Sequence, residues 1–132
     1  MDLKVFKPTS ETVEVTLYNP TTEVPLTNKD NSEMTITMYA PHTKEYKSEV
    51  HRQTNMRLKR MEKGAKISLT AEDLEESTLI HMARSTKAWN ITYDKEQPDF
   101  SVEKAKEVYA DISWIKDQIE EALSNSVDFT NV

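Results

Sequence analysis

From Val13 to Tyr18 the chain alternates without a break: Val13, Val15 and Leu17 fall on one side, Glu14, Thr16 and Tyr18 on the other. The segment "EMTITMYA" repeats the pattern, with Met34, Ile36 and Met38 against Thr35, Thr37 and Tyr39. Period-two alternation marks a half-buried strand. Between the two segments lie the fourteen residues "NPTTEVPLTNKDNS", with two prolines and no glycine, too long for a tight hairpin turn. The pattern predicts an antiparallel strand pair over 12–40, joined by a long mobile loop. Two strands alone are marginal in water, so the pair must pack on the helices or on another chain.

After Pro41 the period lengthens. "HTKEYKSEVHRQTNMRLKRMEK" predicts a helix whose apolar stripe is only Tyr46, Val50, Leu58 and Met61, with Thr54 filling the gap. Such a helix leans on the body by one narrow edge, and Gly64 fits its stop. "LTAEDLEESTLIHMARSTKAW" opens on a capping box, Thr70 with Asp73, inside a hydrophobic staple of Leu69 and Leu74. At about 100° per residue Ala71, Leu74, Thr78, Met82 and Trp89 share one face, which makes Trp89 the last core contact of this helix. Ser101 is placed to cap the next helix, with Phe100 folding back onto it. Ala105, Val108, Ile112, Ile115, Ile119 and Ala122 come next, at spacings of three and four. A break is expected between 111 and 113, where Asp111 and Ser113 can both cap; beyond it Val127 and Phe129 remain to dock. The expected fold is α+β and mainly helical: one domain over 1–132, with an N-terminal antiparallel strand pair (12–40) packed on about four helices (42–126) and a short tail (127–132). Trp89, Phe100 and Trp114 are its structural anchors.

Composition adds limits. Leu, Ile, Val and Phe make up only about a fifth of the 132 residues, so the margins should be polar. There is no Cys, which excludes disulfides and thiolate metal sites. No apolar run approaches the ~18 residues of a membrane span, and the amino terminus does not look like a signal peptide. The expectation is a cytoplasmic protein without a membrane role. Its histidines, His42, His51 and His81, stand at no ligand spacing, and the acidic loop "DKEQPD" lacks the glycine that a calcium loop needs. One glycine cannot build a phosphate loop, and neither a nucleophile elbow nor a Cys nucleophile is present. The chain therefore reads as non-enzymatic, without a cofactor or metal.

The 132 residues carry a net charge of −6, unevenly placed. Lys44, Lys47, Arg52, Arg57, Lys59, Arg60, Lys63 and Lys66 crowd into 44–66, whereas 94–132 is strongly acidic. A basic helix suits a nucleic-acid surface only when aromatics or a reading helix accompany it, and here Tyr46 is the only aromatic. A protein partner is the better reading. Candidate contacts are Arg52, Arg57, Lys59 and Arg60 with Met34, Met38 and Met56; methionines make adaptable contacts, and core filling is the alternative for each.

The ordered set of features resembles the tail assembly chaperones of long-tailed (siphovirus-type) bacteriophages. It runs from "LKVFKPTSETVEVTLYNPTT" through the strand pair, the basic helix, "LTAEDLEE…ARSTKAW" and "PDFS" to "SWIKDQIEEAL" and a terminal "DF". Its most specific part joins Trp89, Phe100, Ser101, Ala105, Trp114, Ile115, Gln118, Ile119, Ala122 and Phe129. The glycines that such chaperones carry after the tryptophan and in the next loop are missing from "NITYDKEQ". The resemblance implies a helper that binds the phage tape measure protein, assists tail tube assembly with the major tail tube protein as a further partner, and self-associates. It also implies a host-cytoplasmic location, absence from the mature virion, and in many members a longer frameshifted form. The alternatives are a structural tail or neck morphogenesis protein, and a nucleic-acid-binding regulator that uses the basic helix 44–66.

Overall fold

A computed structural model describes residues 2–3, 11–62 and 71–125, with the backbone alone for 60–62. Gly64, Leu69, Thr70, Val127 and Phe129, and with them the predicted helix stop, capping box, staple and tail docking, lie outside the described residues. The described residues form seven elements in the order β1 (Thr12–Thr16), β2 (Thr35–Tyr39), α1 (Lys44–Glu62), α2 (Ala71–Arg84), β3 (Thr86–Asn90), α3 (Val102–Asp111) and α4 (Ser113–Ser124). The fold is α+β, four helices with an antiparallel sheet of order β1-β2-β3.

The strand pair pairs Val13 with Met38 and Val15 with Ile36. Val15, Leu17, Ile36 and Met38 turn inward and are buried, as the alternation predicts. Against them lie Met82 and Ala83 of α2, Ala105, Val108 and Tyr109 of α3, and Ile115 and Ile119 of α4. The opposite face carries Glu14, Thr16, Thr35, Thr37 and Ala88 in the same register, a polar face as expected of an antiparallel sheet covered on one side.

The strand pair is in fact a three-stranded sheet, and this corrects the reading of Trp89. The second helix ends at Arg84, and Trp89 sits in β3 beside Ile36. The switch is made by tertiary bonds. Tyr39 N donates to the Ser85 carbonyl at 2.8 Å, and the Thr86 hydroxyl donates to the Met82 carbonyl at 2.9 Å. With its proton committed there, Thr86 receives the Tyr109 hydroxyl at 2.8 Å. Strand pairing of this kind overrides weak local helix propensity.

The long connection between β1 and β2, expected to be mobile, is laced by backbone bonds. Leu26 N donates to Leu17 O, Met34 N to Leu26 O and Leu17 N to Met34 O, so three apolar residues close a ring of backbone bonds. Two tight turns flank it, with Glu23 at φ 60° and Asn31 at φ 70°. Buried Asn28 ties this excursion to the end of β3: its amide nitrogen reaches Asn90 O at 3.3 Å and its oxygen accepts from the Thr92 hydroxyl at 2.6 Å.

The expected Ser101 cap and the break are present at the C-terminal end, but neither Asp111 nor Ser113 caps α4, whose N-cap is Ile112 without a side-chain bond. The Ser101 side chain accepts from Lys104 N at 3.0 Å, and α3 and α4 part at Ile112. Trp89 and Phe100 meet edge to face at 5.3 Å, and Trp89 Nε1 donates to Pro98 O at 2.9 Å. The polar loop between them turns at Asp94 and Lys95, both at positive φ, with Tyr93 and Glu96 exchanging two backbone bonds.

Asn28→Ala leaves the Thr92 hydroxyl and the Asn90 carbonyl without this partner. It is expected to lower stability by about 1–3 kcal/mol in denaturant titration, against less than about 0.5 kcal/mol for the exposed Lys29→Ala. Ser85 Oγ is buried and has no hydrogen-bond partner among the described residues. Ser85→Ala is therefore expected to be neutral or stabilising by up to about 1 kcal/mol in the same assay.

Candidate partner-binding surface

The basic helix α1 begins where Thr43 turns the chain after Pro41. The Thr43 hydroxyl accepts from Tyr46 N at 3.3 Å, which caps the first turn. The expected stripe of Val50 and Leu58 does not make the contact with the body; these side chains are 41% and 51% exposed. The docking stripe is Tyr46, Glu49 and Gln53, three and four residues apart. The Tyr46 ring meets His81 edge on at 4.9 Å, and Gln53 Nε2 donates to Ser77 O at 3.0 Å. Glu49 is buried and held by Arg52 through a two-point contact at 2.8 and 3.0 Å, with Arg84 3.9 Å away. Hydrogen bonds and charge therefore attach α1, with little apolar burial.

These contacts also set the direction of the pair. Tyr46 faces His81 and Gln53 faces Ser77, so α1 and α2 run antiparallel. One turn further along the facing stripes stand Met56 and Leu74, and both are 46% exposed. The far ends of the two helices thus leave apolar side chains uncovered, flanked by the exposed cations Arg57 and Lys59. Leu74, expected in the core with Ala71, is instead on this surface. Helix α2 reaches the core only through its second half, at Leu79, Met82 and Ala83.

The predicted contact residues divide accordingly. Met56, Arg57 and Lys59 lie together on this surface, and Arg60 falls in the last turn of α1 with its side chain outside the described residues. Arg52 is committed to Glu49, and it donates to Met56 Sδ at 3.2 Å. Met38 is fully buried and Met34 packs against the core; both fill the interior, because the inward face of β2 leaves no room for a partner. Trp89 and Phe100 anchor the core as expected, and Trp114 is half-buried at its edge. Sequence reasoning missed Leu74, Glu49 and Gln53. Their signal was present as spacing: 46, 49, 53 and 56 form one helical stripe, but it is mostly polar and a search for apolar residues passes over it.

Among the described residues no three His, Asp or Glu side chains gather to hold a metal, and no helix is long and apolar enough to cross a membrane. No protein-family model, curated protein or solved structure matches this chain.

Burial against Tyr46 pushes the His81 imidazole below its ordinary value, with the nearby Glu49 charge opposing the shift only in part. An undocked His81 takes up its proton near pH 6.5 while the docked one resists, so this contribution to stability is present above that pH and is lost as pH falls toward the depressed value. Hydrogen exchange in α1 is expected to speed up between pH 7 and pH 5.5 relative to α3, beyond the intrinsic pH dependence of exchange. In His81→Phe that additional dependence should disappear.

Proposed function

We propose that this protein acts by binding another polypeptide, as a tail assembly chaperone that covers apolar helical stretches of a phage tape measure protein in the host cytoplasm and assists tail tube assembly. One observation carries the reading: past Gln53 and Ser77 the facing stripes of α1 and α2 leave Met56 and Leu74 exposed beside Arg57 and Lys59, and Val50 and Leu58 are exposed elsewhere on α1. An amphipathic helix is the natural occupant of such a surface. Its apolar side chains at spacings of three and four meet the exposed Met and Leu, and its acidic flank meets the cations. A tape measure protein is long and largely helical, so it supplies many such stripes. The resemblance of "LTAEDLEE…ARSTKAW", "PDFS" and "SWIKDQIEEAL" to tail assembly chaperones supplies the biological setting, including self-association and absence from the finished virion. Binding in place of catalysis fits a surface built from solvent-exposed apolar and cationic groups.

Co-expression with a tape measure fragment tests this. The fragment is expected in the soluble fraction with the wild-type protein and in the pellet with Met56→Asp/Leu74→Asp, whose own fold should be unchanged within about 0.5 kcal/mol per site because both positions are exposed. Equal precipitation with and without the wild-type protein overturns the reading. Recovery of the protein in purified virions at the stoichiometry of a tail component would replace it with a structural tail or neck role.

A further inference from the structure

On α4 the residues Trp114, Gln118 and Glu121 form a second stripe beside the one that enters the core. Together with Tyr18, Pro20 and Glu23 at the end of β1 they line an open groove of about 450 Å³. The groove is built from fixed parts. The Gln118 side chain accepts from Tyr18 N at 2.9 Å and donates to Tyr18 O at 2.8 Å, so both ends of its amide are committed to the backbone of one residue. Asn19 Oδ1 accepts from Thr21 N at 2.9 Å and Thr22 N at 3.2 Å, which holds the turn. Glu23 is kept at φ 60° by a 2.8 Å bond from its N to Asn19 O.

Two aromatic rings and two carboxylates remain available. Glu23 and Glu121 have no ion-pair partner among the described residues, and no Lys or Arg lines the groove. The geometry points to an arginine side chain of a partner polypeptide as the occupant. A guanidinium stacks on an aromatic face while its N–H groups bond carboxylates beside it; an ammonium does the first less well and lacks the planar fork for the second. The volume falls in the range of sites that hold a side chain with its flanking backbone. This site is separate from the surface on α1 and α2 and does not rest on the identity of the partner there.

The test uses the full ¹⁵N-labelled chain and a capped pentapeptide, Ser-Gly-Arg-Gly-Ser, with citrulline replacing Arg in the control. The Trp114 indole resonance, assigned through Trp114→Phe, should shift saturably with the Arg peptide, while that of Trp89 stays in place. The citrulline peptide should produce no saturable shift, since it keeps the shape and loses the charge. Glu23→Gln/Glu121→Gln preserves volume and should weaken binding about fivefold or more, as two exposed ion pairs allow. The proposal is overturned if citrulline binds as well as Arg, or if the Trp114 resonance does not move up to the solubility limit of the peptide. A concentration-dependent Trp114 shift of the wild-type protein alone that Arg57→Glu removes would support the proposal and identify Arg57 of a second copy as the arginine. Loss of tape measure solubilisation with Arg binding intact would count against the chaperone function alone.

Discussion

The fold depends on the hydroxyl of Thr86. It closes the carbonyl end of α2 through Met82, receives the Tyr109 hydroxyl from α3, and sits at the first position of β3. One side chain thus joins two helices to the sheet at the point where the chain changes from helix to strand. Burial raises the Tyr109 hydroxyl to a pKa of about 12, which keeps it protonated and able to donate. With β3 in place, β2 becomes the central strand and Ile36 and Met38 reach complete burial. Trp89 is carried to where Phe100 and Tyr109 meet it edge on, at 5.3 and 6.4 Å. A marginal strand pair becomes a sheet able to cover α3 and α4.

Much of this was legible in the sequence. The two strands announced themselves by alternation, the cap at Ser101 by its place before an apolar run, and the break at Ile112 by the polar residues on either side. The third strand did not, for a definite reason. A bulge opposite Thr37 and Met38 puts Thr86 and Trp89 on the same face of the sheet, three residues apart. A spacing of three imitates a helix, so the bulge hid the strand inside the period of its neighbour.

The ordered turns were hidden in a similar way. With one glycine in the chain, few turns can rely on glycine for positive φ, and Glu23, Asn31, Asp94 and Lys95 adopt it instead. Asx bonds at Asn19 and a two-bond hairpin at Tyr93 and Glu96 hold the conformations that composition alone disfavours. In the candidate surface the cations and Met56 were legible, whereas Leu74 was not. A staple residue at the start of a helix is expected to be covered, and its exposure emerges only from the structure.

That exposure follows from what α1 places inward. A helix serving only the interior would turn Val50 and Leu58 toward α2. This one turns Glu49 and Gln53 inward and leaves the apolar pair outside, so its attachment costs the desolvation of a carboxylate that Arg52 and Arg84 must offset. Both arginines remain partly in water, which limits how tightly they compensate. The contacts that hold the first half of α1, the Tyr46 ring on His81 and the Gln53 bond to Ser77, lie before Met56. A polar seam that fixes the near ends and an apolar stripe left bare at the far ends are consequences of the same residue choice. The arrangement is weaker than an apolar helix contact would be, and it keeps accessible the side chains that such a contact would have buried.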